Sequence, residues 1–230
     1  SGSMLTTAIV GAGAPIANGL AYAVKSRGED RVTIVNFGDG ATSIGAVHEA
    51  MNLASVWRLP IIFLCQNNLI GEYTRIPDYT ASANFHSRAE GYGFKGVKLD
   101  GNDAVAFHNG MKALIAEVRA GGGPIFVEAM TMRLGPHAGV GDSKNHTAEE
   151  LTVAKAAAPG PRLRALLLET GTSTEAELAE IEDAARREVD QAMEKGLSAK
   201  PTPKEETLID VYADPTIAPR RGHYPRRNGE

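Results

Sequence analysis

The sequence predicts an α/β protein: a doubly wound, mainly parallel sheet with flanking helices, followed by a helical C-terminal extension. Three observations carry this expectation. Arg31-Val32-Thr33-Ile34-Val35-Asn36-Phe37 and Pro60-Ile61-Ile62-Phe63-Leu64-Cys65-Gln66 are short, β-branched, apolar runs of the kind that form buried strands. Between them Ala46, Glu49, Ala50, Leu53 and Ala54 recur at helical spacing from about Ser43 to Val56. Strand, helix and strand over this length make a βαβ crossover, which is right-handed in nearly every case.

The remaining elements follow in order. Gly11 to Lys25 reads as a helix of small and apolar residues (Ala14, Ile16, Ala17, Leu20, Ala21, Val24) suited to close packing in the interior or at a subunit contact. Gly28 marks its C-terminal cap. A polar loop from Gly71 to Thr80 leads to a short helical stretch near Asn84 to Gly91. Gly96-Val97-Lys98-Leu99 predicts a strand, and Asp100-Gly101-Asn102-Asp103 a turn into a helix over about 104–120. Gly121-Gly122-Gly123 breaks that helix, and Pro124 to Met132 is the last strand. Arg133 to His146 is Gly-rich and aperiodic, a loop of a length that is often functional.

Beyond this loop the composition turns helical. Thr147-Ala148-Glu149-Glu150 and Thr174-Glu175-Ala176-Glu177 both have capping-box spacing. The second opens a long amphipathic helix with Leu178, Ile181, Ala185, Val189 and Ala192 on its inner stripe, and Gly196 is expected to stop it. The expected organisation is a vector-derived remnant at 1–3, a cofactor-binding α/β domain at 4–146, the helical extension at 147–213 and a basic tail at 214–230. That tail is rich in Pro, Gly and Arg and is expected to be disordered.

Bulk properties exclude several classes. A chain of 230 residues can bury one good core. The net charge of −4 argues against a nucleic-acid partner. Cys65 is the only cysteine, which rules out an internal disulfide and fits a reducing cytoplasm. No apolar run approaches the ~18 residues of a membrane-spanning helix, and no signal peptide leads the chain. The expected location is therefore cytoplasmic, with no membrane partner.

The chemistry lies at the strand ends. Gly38-Asp39-Gly40 closes the first strand and Gln66-Asn67-Asn68 the next. Ligands of open α/β sheets bind beyond the carboxyl ends of the strands. Asp39 offers a carboxylate and Asn68 a neutral carbonyl oxygen, a hard donor set suited to magnesium, which completes its octahedron with water and substrate phosphates. Gly40 and Ala41 lead toward the following helix, whose first amides and dipole favour a phosphate. His137, in the Gly-rich loop, could donate to a phosphate or move a proton near neutral pH, although a loop histidine is more often an exposed bystander. His48, His86, His108, His146 and His223 have no partner at metal-ligand spacing and read as bystanders.

The run GDGATSIGAVHEAMNLASVWRLPIIFLCQNN resembles the thiamine-diphosphate motif, GDG followed some thirty residues later by NN. The flanking residues are most similar to the alpha subunit of the first component of 2-oxo acid dehydrogenase complexes of the pyruvate, branched-chain and acetoin type. The likeness extends through Met132-Arg133-Leu134-Gly135-Pro136-His137 and Leu208-Ile209-Asp210-Val211-Tyr212. It implies the thiamine-diphosphate-binding fold, with thiamine diphosphate and Mg2+ as cofactors. Asp39 and Asn68 would ligate the metal through their side chains and Ile70 through its backbone carbonyl. Gly40 and Ala41 would meet the diphosphate, the backbone of Ala8 and Val10 the aminopyrimidine, and His137 would stand near the diphosphate and the reacting carbon.

The resemblance also implies partners. In this family a glutamate of a beta-type subunit activates the aminopyrimidine across an interface. A lipoyl-bearing acyltransferase is an expected acceptor for the acyl or hydroxyalkyl unit left after decarboxylation of a 2-oxo acid. Family alpha chains carry further residues ahead of the Ala8 region, so two explanations stay open, a truncation of such a chain or a split alpha chain whose upstream segment a separate polypeptide supplies, and the split chain is the expectation. Gln66 stands where the family usually has an acid, Ala138 where mammalian relatives carry a regulated serine, and Lys144 and His146 where relatives place arginines.

Other readings stay open. The same scaffold could perform acyloin or ketol transfer without oxidation, or serve as a non-catalytic structural subunit. Leu5-Thr6-Thr7-Ala8-Ile9-Val10 before Gly11-Ala12-Gly13 imitates the opening of a nicotinamide-binding unit, but Ile16 falls where the third glycine belongs.

Overall fold

A computed structural model describes residues 2, 6–82, 84–138, 146–204 and 206. The chain divides into two compact units, Ser1–Ser173 and Thr174–Glu230. The change of composition read from the sequence falls earlier, at 146/147.

The first unit opens with helix α1 (Gly13–Ser26), strand β1 (Thr33–Gly38), helix α2 (Gly45–Val56) and strand β2 (Ile61–Asn67). A two-stranded hairpin, β3 (Ile70–Gly71) and β4 (Thr74–Arg75), and a single helical turn, α3 (Ile76–Tyr79), occupy the predicted polar loop. A 3-10 segment at Phe85–Tyr92 precedes β5 (Lys95–Asp100), α4 (Ala104–Glu117) and β6 (Ile125–Met130). Helices α5 (Ala148–Ala156) and α6 (Pro159–Glu169) complete this unit.

β1, β2, β6 and β5 form one four-stranded sheet in that spatial order, parallel throughout. The chain steps from β2 to the far edge at β5, and α4 then returns it to the centre at β6. Residues of β2 alternate between the two faces, as the period of two requires. Ile61, Phe63 and Cys65 join the core beneath α1 and α2, while Ile62 and Leu64 join the core beneath α4 with Met111 and Leu114. Burial on both faces explains why β2 reads as an unbroken apolar run. The doubly wound, mainly parallel architecture is thus observed.

The small residues of α1 serve the packing expected of them. Ala14, Ala17 and Ala21 are buried in the same core as Val47, Ala50 and Ala54 of α2. Asn18, also buried, donates Nδ2 to the carbonyl of Ala50 at 2.8 Å and fixes the two helices against each other. Both predicted capping boxes form, at Thr147 with Glu150 and at Thr174 with Glu177. Asp103 caps α4 by accepting from the amide of Ala106 at 2.9 Å.

Three expectations need correction. α2 begins at Gly45 rather than Ser43, because Asp39–Ser43 is a separate 3-10 turn: Thr42 Oγ1 donates to the Asp39 carbonyl at 2.6 Å, and the Ile44 amide to the Ala41 carbonyl at 3.1 Å. Helix α7 (Glu175–Ser198) runs through Gly196, since one glycine costs only about 1 kcal/mol in a long helix. Of its inner stripe only Leu178 is buried, while Ile181 and Val189 are more than half exposed. The 208–212 segment and the tail 214–230 lie outside the described residues, as do 139–145. Among the described residues no helix is long and apolar enough to cross a membrane.

Candidate functional site

Strand register sets the site. Gly38 of β1 lies opposite Gln66 of β2, so the residues that follow, Asp39-Gly40 beyond β1 and Asn67-Asn68 at the end of β2, stand side by side at the sheet's carboxyl edge. Asp39 is 1 % exposed. Tyr79 Oη donates to its Oδ2 at 2.5 Å, and the Tyr79 ring stacks on Phe85 with an interplanar angle of 11°. Burial, and then the neighbouring Asp39 carboxylate, push the Tyr79 phenol up, so it remains a proton donor across the working pH range.

The turn after Asp39 is clamped from outside. Arg88 donates to the Thr42 carbonyl at 2.7 Å and to Thr80 Oγ1 at 2.8 Å, with its guanidinium over the Phe85 ring. Gly40 faces Gly71 of β3 so closely that a Cβ at position 40 would stand 3.3 Å from the Gly71 Cα. Absence of a side chain on both residues is what lets the two loops close on each other.

The two asparagines have different duties. Asn67 is buried and fully engaged: its Nδ2 donates to Glu128 Oε1 at 2.7 Å, and its Oδ1 accepts from the Leu69 amide at 3.0 Å. Asn68 is half-buried, and its Oδ1 accepts from the Ile70 amide at 3.1 Å, which leaves a lone pair on the same oxygen for a cation. Between them and β3, Leu69 adopts φ +73°, a left-handed conformation a leucine takes only when its surroundings hold it there.

Other predicted residues fall around this centre. Ala8 and Val10 are exposed in the turn ahead of α1. That turn is tied to the end of the 39–43 segment through Gly11, whose backbone lies against Ile44. His137 is exposed, with its ring against Tyr73 at 6.0 Å and Nδ1 at a long 3.5 Å from the Arg133 guanidinium. Arg133 in turn donates to the Glu72 carbonyl at 2.8 Å. Through these contacts the 133–138 loop rests on the β3–β4 turn, next to Gly71 and hence to Gly40.

Sequence reasoning missed Tyr79, Arg88, Glu128 and the role of His86. His86 is no bystander: its amide and Nδ1 lie 3.1 and 2.6 Å from Glu128 Oε2. Burial pushes the Glu128 carboxyl up, but its hydrogen bonds with His86 and Asn67 outweigh that and hold it below its ordinary value. The only signal in the sequence was a glutamate inside an apolar strand. Cys65 lies between the two buried carboxylates, and burial together with Asp39 and Glu128 pushes its thiol far up, which makes it an inert core residue.

The donor set suits a hard cation. Among the described residues no group of three or more His, Cys, Asp or Glu side chains could hold a metal. A cation at this edge would therefore rely on one carboxylate, neutral oxygens and an anionic ligand, which is how magnesium is held with phosphates. A buried carboxylate beside two glycine-lined loops fits that requirement.

A parallel sheet with polar groups gathered at its carboxyl edge places this chain among the open α/β folds, whose ligands bind beyond that edge. Residues 2–205 match the family described as the dehydrogenase E1 component, and the chain belongs to that family. Its relatives include a pyruvate dehydrogenase E1 component subunit alpha from Rickettsia bellii, 34 % identical over 87 % of this chain and 61 % of the relative. The mitochondrial pyruvate dehydrogenase E1 component subunit alpha of Dictyostelium discoideum is 36 % identical over 89 % of this chain and 54 % of the relative. The 3-methyl-2-oxobutanoate dehydrogenase subunit alpha of Mycobacterium tuberculosis is 35 % identical over 86 % and 54 %. The chain thus spans between about half and three fifths of the length of these relatives.

Proposed function

We propose that this chain is the alpha-type subunit of a thiamine-diphosphate-dependent 2-oxo acid dehydrogenase, and that it holds the Mg2+–diphosphate end of the cofactor. The observation that carries the reading is the buried Asp39 carboxylate, brought beside the Asn68 turn at the sheet's carboxyl edge. Membership of the dehydrogenase E1 component family supports it.

Asp39 and Asn68 would hold the cation through their side-chain oxygens, and Ile70 through its backbone carbonyl. Gly40 and Ala41 would face the diphosphate, and Ala8 and Val10 the aminopyrimidine. Bound thiamine diphosphate supplies the electron sink for decarboxylation of the 2-oxo acid, while the protein contributes position and electrostatics. This chain's residues do three things around it. Tyr79 fixes the Asp39 carboxylate before the cation arrives. The Gly40–Gly71 contact brings the two loops together around the anion. His137, set beside the Arg133 guanidinium, would offer a ring N–H to a phosphate or a reacting oxygen. The catalytic set would be completed by a beta-type subunit, and the hydroxyalkyl unit left by decarboxylation would pass to the lipoyl group of an acyltransferase as an acyl thioester, its two-electron oxidation matched by reduction of the lipoyl disulfide.

Calorimetric titration of the assembled alpha–beta complex with thiamine diphosphate tests the reading. Binding is expected to require Mg2+, and Asp39→Asn to weaken it by ~100-fold or more. Carbon dioxide release from a 2-oxo acid should need the complex and be absent from the isolated chain. Binding indifferent to chelation, or to Asp39→Asn, would remove the proposal.

A further inference from the structure

Glu128 is an acid where the fold asks for an apolar side chain. It sits in the middle of β6, opposite Cys65 of β2, among Phe126, Phe63 and Cys65, and it is fully buried. Neighbouring positions on β6 are filled by Ile125, Phe126 and Val127, so packing alone is satisfied here by hydrocarbon. A buried carboxylate is tolerated only where donors surround it. Glu128 has three: Asn67 Nδ2 on Oε1, and the His86 amide and ring Nδ1 on Oε2.

The arm to Asn67 leads into the site. By taking Nδ2, Glu128 decides which end of the Asn67 amide faces the next turn. Oδ1 is left to accept from the Leu69 amide, the contact that holds Leu69 at φ +73°. At the other side the Asn67 carbonyl accepts from the Thr131 amide at 2.9 Å, so the backbone is pinned as well. The next residues along the turn are Asn68 and Ile70. We propose that Glu128 is a positioning residue of the cation site: through Asn67 it fixes the Leu69 turn, and thereby the placement of the Asn68 side chain and the Ile70 carbonyl. His86 closes the far side of the carboxylate and ties the 3-10 segment at Phe85–Tyr92 to the same anchor. This inference rests on the functional reading above, since it concerns the ligands that reading assigns.

The hydrogen-bond polarity can be reversed as a test. In Glu128→Gln one end of the new amide must face a donor, either Asn67 Nδ2 or the His86 amide. In Asn67→Asp two carboxylates face each other. In the double variant the new amide at position 128 donates to the new carboxylate at position 67, and its carbonyl still accepts from His86. The carboxylate at 67 also accepts from the Leu69 amide, so the bonds among 67, 69, 86 and 128 are restored and only the long 3.7 Å contact of Asn67 Nδ2 with Met130 Sδ is lost.

The readout is the Mn2+ concentration required for thiamine diphosphate binding to the alpha–beta complex, followed by the electron paramagnetic resonance of bound Mn2+ and by calorimetry. Each single variant is expected to need roughly tenfold more cation, within the range for outer partners of metal ligands. The double variant should return to within about threefold of wild type. A role confined to packing would lower the melting temperature of Glu128→Gln and leave its cation requirement unchanged, which overturns the inference. Should a single variant fail to fold, the double variant decides: wild-type affinity supports the inference, and a tenfold loss overturns it. No cation-dependent binding by the wild-type complex would overturn the functional reading, and this inference with it, whereas wild-type behaviour of Glu128→Gln overturns this inference alone.

Discussion

Tyr79 and Asp39 are joined by a hydrogen bond of 2.5 Å between the phenol and Oδ2, although they are forty residues apart and lie on different elements. The carboxylate at the end of β1 therefore has a fixed orientation in the absence of any ligand. Its burial, at 1 % exposure, makes that bond matter, because an unsatisfied buried anion is costly.

Tyr79→Phe should therefore destabilise the chain by about 1–3 kcal/mol, the usual range for losing a neutral donor to a buried charged acceptor. Chemical denaturation of wild type, Tyr79→Phe, Asp39→Ala and the double variant gives the coupling directly. Additive effects would mean that the bond contributes nothing to the folded state.

The two loops of the site close on each other at Gly40 and Gly71. A methyl group at 71 would meet the Gly40 Cα at 3.3 Å and the Tyr79 ring at 3.4 Å. Backbone cannot yield as a flexible side chain can, so Gly71→Ala should cost about 1–3 kcal/mol in stability. It should also weaken thiamine diphosphate binding to the complex by roughly tenfold through displacement of the loops. Denaturant midpoints and calorimetry measure the two effects separately. Unchanged affinity would show that the loop contact plays no part in holding the cofactor.

How far these relations could be read in advance depends on how local their causes are. The β1–α2–β2 crossover, the two capping boxes and the break at Gly121, where φ is +89°, were legible because each depends on residues a few positions apart. Asp39 and Asn68 were legible because strand ends converge in a parallel sheet. Tyr79, Glu128 and His86 were not. Their partners lie 40, 61 and 42 residues away, and no spacing rule reaches across strands whose order is unknown. Gly196 misled because a glycine stops a helix only where the chain needs a left-handed turn, and α7 needs none there.

Glu150 gives the chain a pH-dependent tie. Its carboxylate takes both guanidinium nitrogens of Arg75 at 2.9 Å and the Thr147 amide at 2.8 Å, and His146 Nδ1 stands 3.8 Å away. The Arg75 hydrogen bonds, with the Thr147 amide next, hold its pKa at about 2 against an ordinary 4.5. A depressed carboxylate stabilises the fold fully above its unfolded value and loses that contribution as pH falls through the folded one. Glu150→Gln should therefore melt lower than wild type near neutral pH, with the gap closing between 4.5 and about 2. The pair is solvent-exposed, so added salt should also shrink the gap. Melting temperatures across pH, at two ionic strengths, check this. A gap independent of pH would assign the effect to packing.

Gly11 is constrained twice over, and the two constraints can be separated. Its φ of +84° disfavours any side chain, and a Cβ would lie 2.6 Å from Ile44 Cγ2. Gly11→Ala should lower stability by about 1–3 kcal/mol through overpacking, and by about 1–2 kcal/mol more through the left-handed backbone. Ile44→Gly in the same chain removes the clash, including the Ile44 Cβ at 2.9 Å, and leaves the backbone term. The double variant should therefore be less destabilised than the sum of the two single changes by about 1–2 kcal/mol. Because this contact ties the Ala8–Val10 turn to the segment after Asp39, thiamine diphosphate affinity of the complex should recover in parallel with stability. Strict additivity would show that Ile44 yields freely, and that the turn before α1 is held by something other than this contact.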